Sequence, residues 1–367
     1  MKVGILGGGQ LARMIALAGY PLGLDFVIID PSNVAGAIGL ADHLHGAYDD
    51  KVLLQELARQ TDIVTYEFEN VPANIAQFLA HHTQIAPCDR ALAIAQDRLI
   101  EKKFFNYLNI PTTNFAAVNS LNDLEQASKA IGLPAILKSC RMGYDGKGQV
   151  PLQGSEDLAN AWNSMRNAPS IIEGFVPYTR EVSIIAARRP SGETVYYPLS
   201  ENSHSQGILR VSRCCINDPK QQEAEQYLSR ILEELDYVGV IALEFFDVQG
   251  QLLANEFAPR VHNSGHWTIE GSETSQFENH LRAILDWPLG STQSTGYSGM
   301  VNFIGGLPPA EQVLAIKNTH QHLYAKHPRP GRKVGHATVR TNDQALFESS
   351  LDKLIQLAEQ HRYSIGE

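Results

Sequence analysis

The sequence predicts a mixed α/β and α+β protein that begins with a doubly wound parallel sheet. Three observations support this fold class: strand and helix patterns alternate over the first ninety residues, an antiparallel hairpin pattern follows later, and the composition, with 43% hydrophobic and 19% charged residues, is ordinary for a globular protein. Such alternation is typical of parallel strands joined by crossover helices. The predicted strands are Val3–Leu6, Phe26–Ile29 and Ile63–Tyr66, and the predicted helices are Gln10–Ala18, Lys51–Arg59 and one from about Pro72.

The chain after this region is predicted to form a second unit. A helix over Arg98–Leu108 ends before Pro111, because the residue that precedes a proline is pushed out of the helical region. We place a domain boundary near residue 96. The later predicted elements are the strand Ala135–Ser139, a helix from the N-cap Asp218 to about Leu235, the hairpin strands Val238–Asp247 and Leu252–Phe257, a strand at about Ala337–Arg340 and a final helix.

Charge and cysteine usage exclude several classes of protein. Forty acidic residues against 30 basic ones leave a net charge of −10, which gives no global support for nucleic-acid binding. The four cysteines lack CxxC spacing and indicate a reducing compartment. No apolar stretch is long enough to span a bilayer. We therefore predict a cytoplasmic protein with neither a nucleic-acid nor a membrane partner.

A glycine-rich turn, Gly7–Ala12, follows the first predicted strand and opens the first helix. Backbone N–H groups at such a helix start can hold a phosphate, and Asp30 stands where dinucleotide-binding folds place a ribose-binding acid. The pattern is compatible with NAD, but any doubly wound fold can use the same connection. Glu67 and Glu69 follow the third strand, at the edge where open sheets bind ligands, although loop acids are also often merely solvated.

Lys138 and the segment 143–148 predict a phosphate-binding loop. Three glycines in six residues allow N–H groups to fold over phosphates, and Lys138 and Lys147 supply positive charge. The loop lacks the Gly-Lys-Ser/Thr ending of a Walker A motif, and a plain surface turn is the alternative. Ile171–Val176 is predicted to be a strand that enters a linker, against which an adenine ring could lie. Glu181 on the next strand could bind ribose hydroxyls.

Glu244 and Glu256 predict a metal site in the hairpin. Both lie six residues from Gly250, so a loop centred on that glycine makes them cross-strand neighbours with Cβ atoms about 4.5–5.5 Å apart. Their apolar neighbours predict strands buried on both faces, where two like charges repel unless a proton or a cation intervenes. Oxygen ligands suit Mg²⁺. A register shift of one residue would break the pairing, and a bulge could restore it.

A compact polar cluster comes directly after the hairpin and consists of Arg260, His262, Asn263 and His266. Isolated histidines usually serve packing or lie on the surface. Clustered beside a metal site, these groups instead predict a local anion pocket in an otherwise acidic protein.

Together these features resemble the ATP-grasp superfamily, preceded by its usual doubly wound N-terminal domain. More closely, five motifs resemble the N5-carboxyaminoimidazole ribonucleotide synthetase family. They are GGGQL at 7–11, YEFENVP at 66–72, GYDGKGQ at 143–149, NEFAPRVHNSGH at 255–266 and GRKVGH at 331–336. The resemblance covers essentially the full chain. It implies an N-terminal domain over 1–95, an ATP-grasp domain over 96–294 with a lid at about 111–176, and a small C-terminal domain over 295–367.

The resemblance also implies a reaction. ATP phosphorylates bicarbonate to carboxyphosphate, whose breakdown delivers CO₂ to the exocyclic amine of 5-aminoimidazole ribonucleotide in purine biosynthesis. The implied partners are these three small molecules, with Mg²⁺ as the metal and a homodimer as the assembly.

The site residues are carried over by motif. Contacts with ATP are implied for Arg98, Lys138, Gly143, Tyr144, Asp145, Gly146, Lys147, Gly148, Gln149, Glu173, Gly174, Phe175, Val176, Glu181, His204, Asn255 and Glu256. Contacts with the ribonucleotide are implied for Gln10, Glu69, Tyr144, Asp145, Lys333 and Arg340, and catalytic roles for Asp145, Lys147, Arg260, His262, Asn263 and His266.

Rival functions stay open from the sequence. A nicotinamide oxidoreductase would depend on Gly7–Ala12 and Asp30, and a non-catalytic scaffold would bind ATP without turnover. Within the superfamily, the alternative is another purine enzyme such as a formate-dependent glycinamide ribonucleotide transformylase.

Overall fold

The computed structural model describes residues 1–143 and 147–362. The chain begins with a parallel sheet in the strand order β3-β2-β1-β4-β5. Its strands are β1 (Lys2–Leu6), β2 (Asp25–Asp30), β3 (Asp42–His45), β4 (Ile63–Tyr66) and β5 (Gln84–Ile85), and its helices are α1 (Gln10–Gly19), α2 (Lys51–Gln60), α3 (Ala73–Ala80) and α4 (Asp89–Ala95). The predicted doubly wound parallel sheet is therefore confirmed.

A small antiparallel sheet follows the connecting helix α5 (Arg98–Tyr107). Its order is β6-β9-β7-β8, and one face carries two helices around a separate apolar cluster. The elements are β6 (Phe115–Val118), α6 (Leu121–Ile131), β7 (Ala135–Ser139), β8 (Gln149–Leu152), α7 (Leu158–Ser164) and β9 (Ser170–Gly174). We call this unit the small sheet.

A large antiparallel sheet forms the rest of the described chain, in the order β15-β14-β10-β12-β13-β16-β18-β17, with β11 paired to β10. Its strands are β10 (Arg180–Arg188), β11 (Thr194–Tyr196), β12 (Ser200–Ser205), β13 (Ile208–Cys214), β14 (Gly239–Val248), β15 (Gln251–Ala258), β16 (Tyr297–Ile304), β17 (Thr319–Leu323) and β18 (Lys333–Thr341). Its helices are α8 (Gln221–Glu234), α9 (Thr268–Gly271), α10 (Gln276–Ile284), α11 (Ala310–Leu314) and α12 (Gln344–Gln360).

The predicted boundary at residue 294 falls within this large sheet. Strand β16 pairs with β13, so the segment after residue 294 extends a sheet that began with β10. The apolar cores also cross the predicted boundaries: one buried cluster contains Ile15 of α1, Phe277 of α10 and Tyr324. Packing therefore joins all three predicted units. Among the described helices, none has both the length and the apolar character needed to cross a membrane.

One predicted helix start is two residues too early. Helix α8 begins at Gln221, with Lys220 as its N-cap, rather than directly after Asp218. The reason is that the Asp218 carboxylate pairs with Arg180 of β10 and accepts the backbone N–H of Lys220 at 2.9 Å. This contact with a distant strand is invisible in the local pattern.

Candidate active site

Arg98 and Lys138 lie beside the two described ends of the glycine-rich loop, at Gly143 and Gln149. Lys138 lies near the end of β7, and its ammonium donates to Glu173 Oε2 at 3.1 Å. Arg98, at the start of α5, donates to the carbonyl of Ser139 at 2.9 Å. A Cβ atom on Gly143 would lie only 2.2 Å from the Arg98 guanidinium, so a glycine is needed for this close approach.

The remaining loop residues are described in part. Lys147 and Gly148 form a turn that leads into β8, where Gln149 pairs with Lys138. Gly148 has a φ of +69°, which favours glycine. Tyr144, Asp145 and Gly146 lie outside the described residues, and their implied roles stay predictions.

The predicted adenine linker begins at Glu173, and its side chain is buried. Burial alone would raise the pKa of Glu173, but the ammonium groups of Lys102 and Lys138 lower it to about 2. Gly174 ends β9, and the N–H of Phe175 donates to the carbonyl of Pro134. The Glu173 carboxylate thus faces two lysines, while the Phe175 side chain is exposed and Val176 is partly buried.

Glu181 and His204 meet on neighbouring strands of the large sheet. His204 Nδ1 lies 2.6 Å from Glu181 Oε2, and this contact lowers the pKa of Glu181 against the effect of burial. The structure therefore brings together two residues that the sequence related only through the resemblance.

The hairpin of β14 and β15 carries the acidic pair with a register that differs from the prediction near the turn. The turn is centred between Gln249 and Gly250, and Phe245 pairs with Ala254. A bulge then shifts the register, so that Leu243 pairs with Phe257. The turn is therefore not centred on Gly250, as predicted, but the bulge restores the predicted register from Leu243 and Phe257 onward. Glu244 faces the bulge formed by Asn255 and Glu256.

The predicted burial of both faces of the hairpin is also wrong, because Glu256 is exposed. Leu252, Ala254 and Phe257 face the core, and the extra residue at the bulge leaves Asn255 and Glu256 both outside that core. Glu244 retains only 16% side-chain exposure. Burial and the charge of Glu256 raise the pKa of Glu244 to about 7.

These two carboxylates fit a divalent cation. The raised pKa of Glu244 shows that its negative charge is poorly compensated, which a cation between the carboxylates would correct. Two carboxylates are too few for a closed protein site, and the described residues hold no group of three or more His, Cys, Asp or Glu arranged for a metal. The pair suits Mg²⁺, which completes its shell with phosphate and water oxygens.

His262 lies beside Glu244 in a defined protonation state. Its Nδ1 accepts the backbone N–H of Ser264, which leaves Nε2–H to donate to Glu244 Oε1 at 3.2 Å. Burial and the positive charges of Arg260 and Lys333 lower the pKa of His262 well below its usual value. The histidine is therefore neutral and orients the carboxylate.

Arg260 joins the large sheet to the N-terminal domain, because its guanidinium pairs with Glu69, which follows β4. Burial would raise the pKa of Glu69, but Arg260 and Lys333 lower it. Lys333 also lowers the pKa of Glu244, so its charge acts on both carboxylates. Glu69, Arg260 and Lys333 thus border one cleft.

A second lysine extends this cleft toward α1. Lys326 donates to the side chain of Gln10, the first residue of α1. Burial and the positive charges of Arg332 and Lys333 lower the pKa of Lys326 to about 8, against the opposing effect of Glu67. Gln10, Lys326 and Lys333 could therefore hold an anion such as a ribose phosphate.

Three predicted contacts are not brought to this cleft. Arg340 bonds to Thr295 at the far end of β18, about 23 Å along the strand from Lys333. The Asn263 side chain exchanges hydrogen bonds with Asn302 at 2.7 and 3.1 Å. His266 has 0% exposure and packs against Phe277 and other buried rings. In this structure Asn263 and His266 contact other buried side chains, and the implied roles of all three residues stay predictions.

The glycine-rich turn after β1 does not present an open phosphate site. The Glu67 carboxylate accepts the N–H groups of Gly9 and Ala12, and so occupies the N-terminus of α1. Asp30 accepts the N–H of Gly8 at 2.8 Å and bonds to Tyr48. Both features that favoured NAD, the glycine-rich turn and Asp30, are therefore already hydrogen-bonded within the protein. The structure does not support a dinucleotide site.

Sequence reasoning missed several residues of the site. Lys102 is buried beside Glu173, and nothing local distinguishes it from the exposed Lys103 that follows it in α5. Lys326 belongs to a basic stretch, residues 326–333, whose charge was a usable signal. Glu67 was noted as a ligand-edge acid, but its capping of α1 depends on tertiary contact.

Comparison with known proteins agrees with this geometry. Three family models match the chain: a ribonucleotide synthetase preATP-grasp domain over residues 1–96, an ATP-grasp domain over 103–277 and a phosphoribosylaminoimidazole carboxylase C-terminal domain over 298–350. The N5-carboxyaminoimidazole ribonucleotide synthase of Pseudomonas aeruginosa is 51% identical over 98% of this chain and 100% of that protein.

Solved structures are similar over the whole chain. The N5-carboxyaminoimidazole ribonucleotide synthetase of Thermus thermophilus superposes with a TM-score of 0.93 at 50% identity, covering 97% of this chain and 98% of that one. The Aspergillus clavatus synthase in complex with ADP and 5-aminoimidazole ribonucleotide gives a TM-score of 0.90 at 30% identity, with 98% of each chain covered. The fold and the cleft define an ATP-grasp enzyme. Within that class, the chain belongs to the N5-carboxyaminoimidazole ribonucleotide synthase family.

Proposed function

We propose that this protein uses ATP and bicarbonate to carboxylate 5-aminoimidazole ribonucleotide in de novo purine biosynthesis. A bicarbonate oxygen attacks the γ-phosphorus of ATP, the bond to ADP breaks, and carboxyphosphate forms. Carboxyphosphate then divides into CO₂ and phosphate, and the exocyclic amine adds to CO₂ and loses a proton to give the N5-carboxy product. The observation that carries this proposal is one charged cluster, in which Glu244 interacts with Lys333, Glu256 interacts with Arg260, and Lys333 also acts on Lys326.

Charge neutralisation explains the nucleotide half of the cleft. Phosphoryl transfer depends on positioned positive charge around the phosphates. Lys138 supplies such charge from the small sheet, and Arg98 lies against Gly143 at the start of the loop. Glu244 and Glu256 would hold Mg²⁺, which would shield the phosphate oxygens when bound. His262 fixes the orientation of Glu244 by its hydrogen bond.

The second half of the cleft fits the two other substrates. Arg260, held by Glu69, provides a planar donor for bicarbonate or the carboxyphosphate carboxylate. Lys326 and Lys333 would bind the ribose phosphate, with Gln10 beside them. Asp145 would accept or orient the amine proton, as the resemblance implies. We further propose that the protein acts in the cytoplasm as a homodimer.

The test measures ADP release by the purified protein with each substrate omitted in turn. We expect release to require bicarbonate and 5-aminoimidazole ribonucleotide together, and formate with glycinamide ribonucleotide to give none. ATP turnover indifferent to bicarbonate and the aminoimidazole would contradict the proposed substrate. Turnover with formate and glycinamide ribonucleotide would instead favour the transformylase, for which the described cleft offers no specific support.

A further inference from the structure

Lys102 is a fully buried lysine at the junction of the two sheets. It lies in α5 and is only 1% exposed. Its ammonium donates to Thr112 Oγ1 at 3.0 Å and to the carbonyl of Ala254 at 3.2 Å, and it lies 3.6 Å from Glu173 Oε2. A charged side chain in such a position is costly to bury and needs a compensating partner.

The contacts of Lys102 connect the two halves of the nucleotide site. Ala254 directly precedes the bulge that carries Asn255 and Glu256. Glu173 belongs to β9 of the small sheet, and its Oε2 atom also accepts the ammonium of Lys138 at 3.1 Å. The same carboxylate oxygen is thus shared between Lys102, which is enclosed, and Lys138, which borders the cleft.

The charges of these three groups do not cancel. Glu173 is ionised, since the two ammonium groups lower its pKa to about 2 despite burial. Burial lowers the pKa of Lys102, and Glu173 opposes that shift. One carboxylate faces two ammonium groups, so one positive charge is left over. Because Lys138 has 12% side-chain exposure and Lys102 has 2%, that charge is presented at Lys138.

We propose that Lys102 is a positioning residue that neutralises Glu173, so that the charge of Lys138 is available to the phosphates of a nucleotide. Without Lys102, Glu173 and Lys138 would form a balanced ion pair, and Lys138 would have to leave Glu173, the carboxylate it contacts within the described residues, to reach a phosphate. The inference rests on the proposed function, because it assumes that Lys138 contacts nucleotide phosphates.

The experiment measures the dissociation constant of Mg²⁺-ADP by calorimetry for four variants of the full chain. We expect Lys102→Met to bind at least 10-fold more weakly than the wild type. Glu173→Gln serves as the background for the second comparison, whatever its own affinity. In that background the double variant Lys102→Met/Glu173→Gln should differ from Glu173→Gln by less than about 3-fold, because a neutral glutamine does not retain Lys138. Lys103→Met, on the exposed face of the same helix, is the matched control and should be unchanged.

Each outcome separates the proposal from a purely structural role. Wild-type affinity in Lys102→Met would overturn it. A double variant that binds 10-fold more weakly than Glu173→Gln would show that Lys102 acts through packing, and this comparison holds even where the single variant fails to fold. A wild-type protein that binds no Mg²⁺-ADP would contradict the proposed function itself, whereas normal wild-type binding with an unaffected Lys102→Met would contradict the Lys102 role alone.

Discussion

The protonation of the Glu244 carboxylate should be measurable as a pH dependence of the free energy of unfolding. Its pKa is raised to about 7 by burial and by Glu256, so the folded protein holds this proton more tightly than the unfolded chain. The contribution of this proton to the free energy of unfolding is fully present below about pH 4.5, and it is lost as the pH rises through about 7. Without metal, ionised Glu244 therefore destabilises the fold at alkaline pH.

We predict that Glu244→Gln stabilises the metal-free protein by roughly 1–3 kcal/mol at pH 8.5 and has almost no effect at pH 4.5. Glutamine keeps an oxygen that can accept the His262 N–H without carrying charge. The measurement is urea unfolding at both pH values, with Glu125→Gln, an exposed residue of α6, as the control. An equal effect at the two pH values would mean that the proton on Glu244 is not responsible.

Glu256 should matter for turnover and little for folding. Its side chain is exposed in the cleft, so removing its charge relieves only a modest repulsion. We predict that Glu256→Gln reduces ATP turnover on the order of 100-fold, because a ligand of the cation that shields the phosphates is lost. Turnover assays at saturating Mg²⁺, alongside circular dichroism, provide the check. Near-normal turnover would remove Glu256 from the metal site.

Local sequence patterns singled out candidate site residues that lie in motifs. They missed residues whose burial or partners depend on contacts with distant parts of the chain. Lys138, the two hairpin glutamates and Arg260 were predictable because charge stands out within apolar or glycine-rich surroundings. Lys102 was not, since a lysine in a helix is usually solvated and only its tertiary partners reveal that it is buried. Asn263 and His266 were assigned roles by motif; their side chains are buried in the structure, and those roles stay predictions.

The start of α1 illustrates how one element depends on another. Its N-cap, Gly9, has no side chain, and the helix has no acidic residue in its first turn. The carboxylate of Glu67 supplies the missing acceptor from the loop after β4. A helix N-terminus is stabilised by negative charge, so this contact joins two parallel strands through the crossover helix.

We predict that Glu67→Gln lowers the unfolding free energy by about 1–2 kcal/mol, because an amide offers one acceptor oxygen where the carboxylate offers two and also loses the charge. Chemical denaturation near pH 7 measures the effect, and Glu125→Gln is again the reference. Unchanged stability would contradict the capping role of Glu67.

The hairpin shows what strand patterns can and cannot establish. Both strands were predicted to within a residue or two, because runs of apolar residues flank a glycine-containing turn. The bulge was foreseen only as a possibility. An extra residue in one strand changes the pairing without leaving a distinct sequence signal. Residues on one face of a regular strand are spaced by two, so the spacing of three between the buried residues Ala254 and Phe257 is what reveals the bulge.

At the level of the whole molecule, the large sheet makes the C-terminal segment essential for folding. Strand β16 covers the edge of β13, and α12 covers the apolar face of both β16 and β18. Removal of this segment would expose an edge strand and a row of buried side chains that includes Val211.

We predict that a chain ended at residue 294 aggregates, whereas a chain ended at Arg362, which keeps every described element, folds normally. Size-exclusion chromatography and circular dichroism compare the two. A soluble, monodisperse protein of residues 1–294 would show that the first two predicted units are stable without the third.

The fold class and the order of the domains were predictable because each segment of the chain has its own pattern of strand and helix periodicities. The merging of the units was not, since shared cores such as that of Ile15, Phe277 and Tyr324 arise from residues far apart in sequence. Sequence periodicity describes individual elements, and it carries no information about which faces meet.

The contact between Gln10 and Lys326 joins positions near opposite ends of the polypeptide. During translation, Gln10 is synthesised early and Lys326 only after most of the chain has been made. The phosphate pocket that we propose at Gln10, Lys326 and Lys333 therefore cannot exist on an unfinished chain.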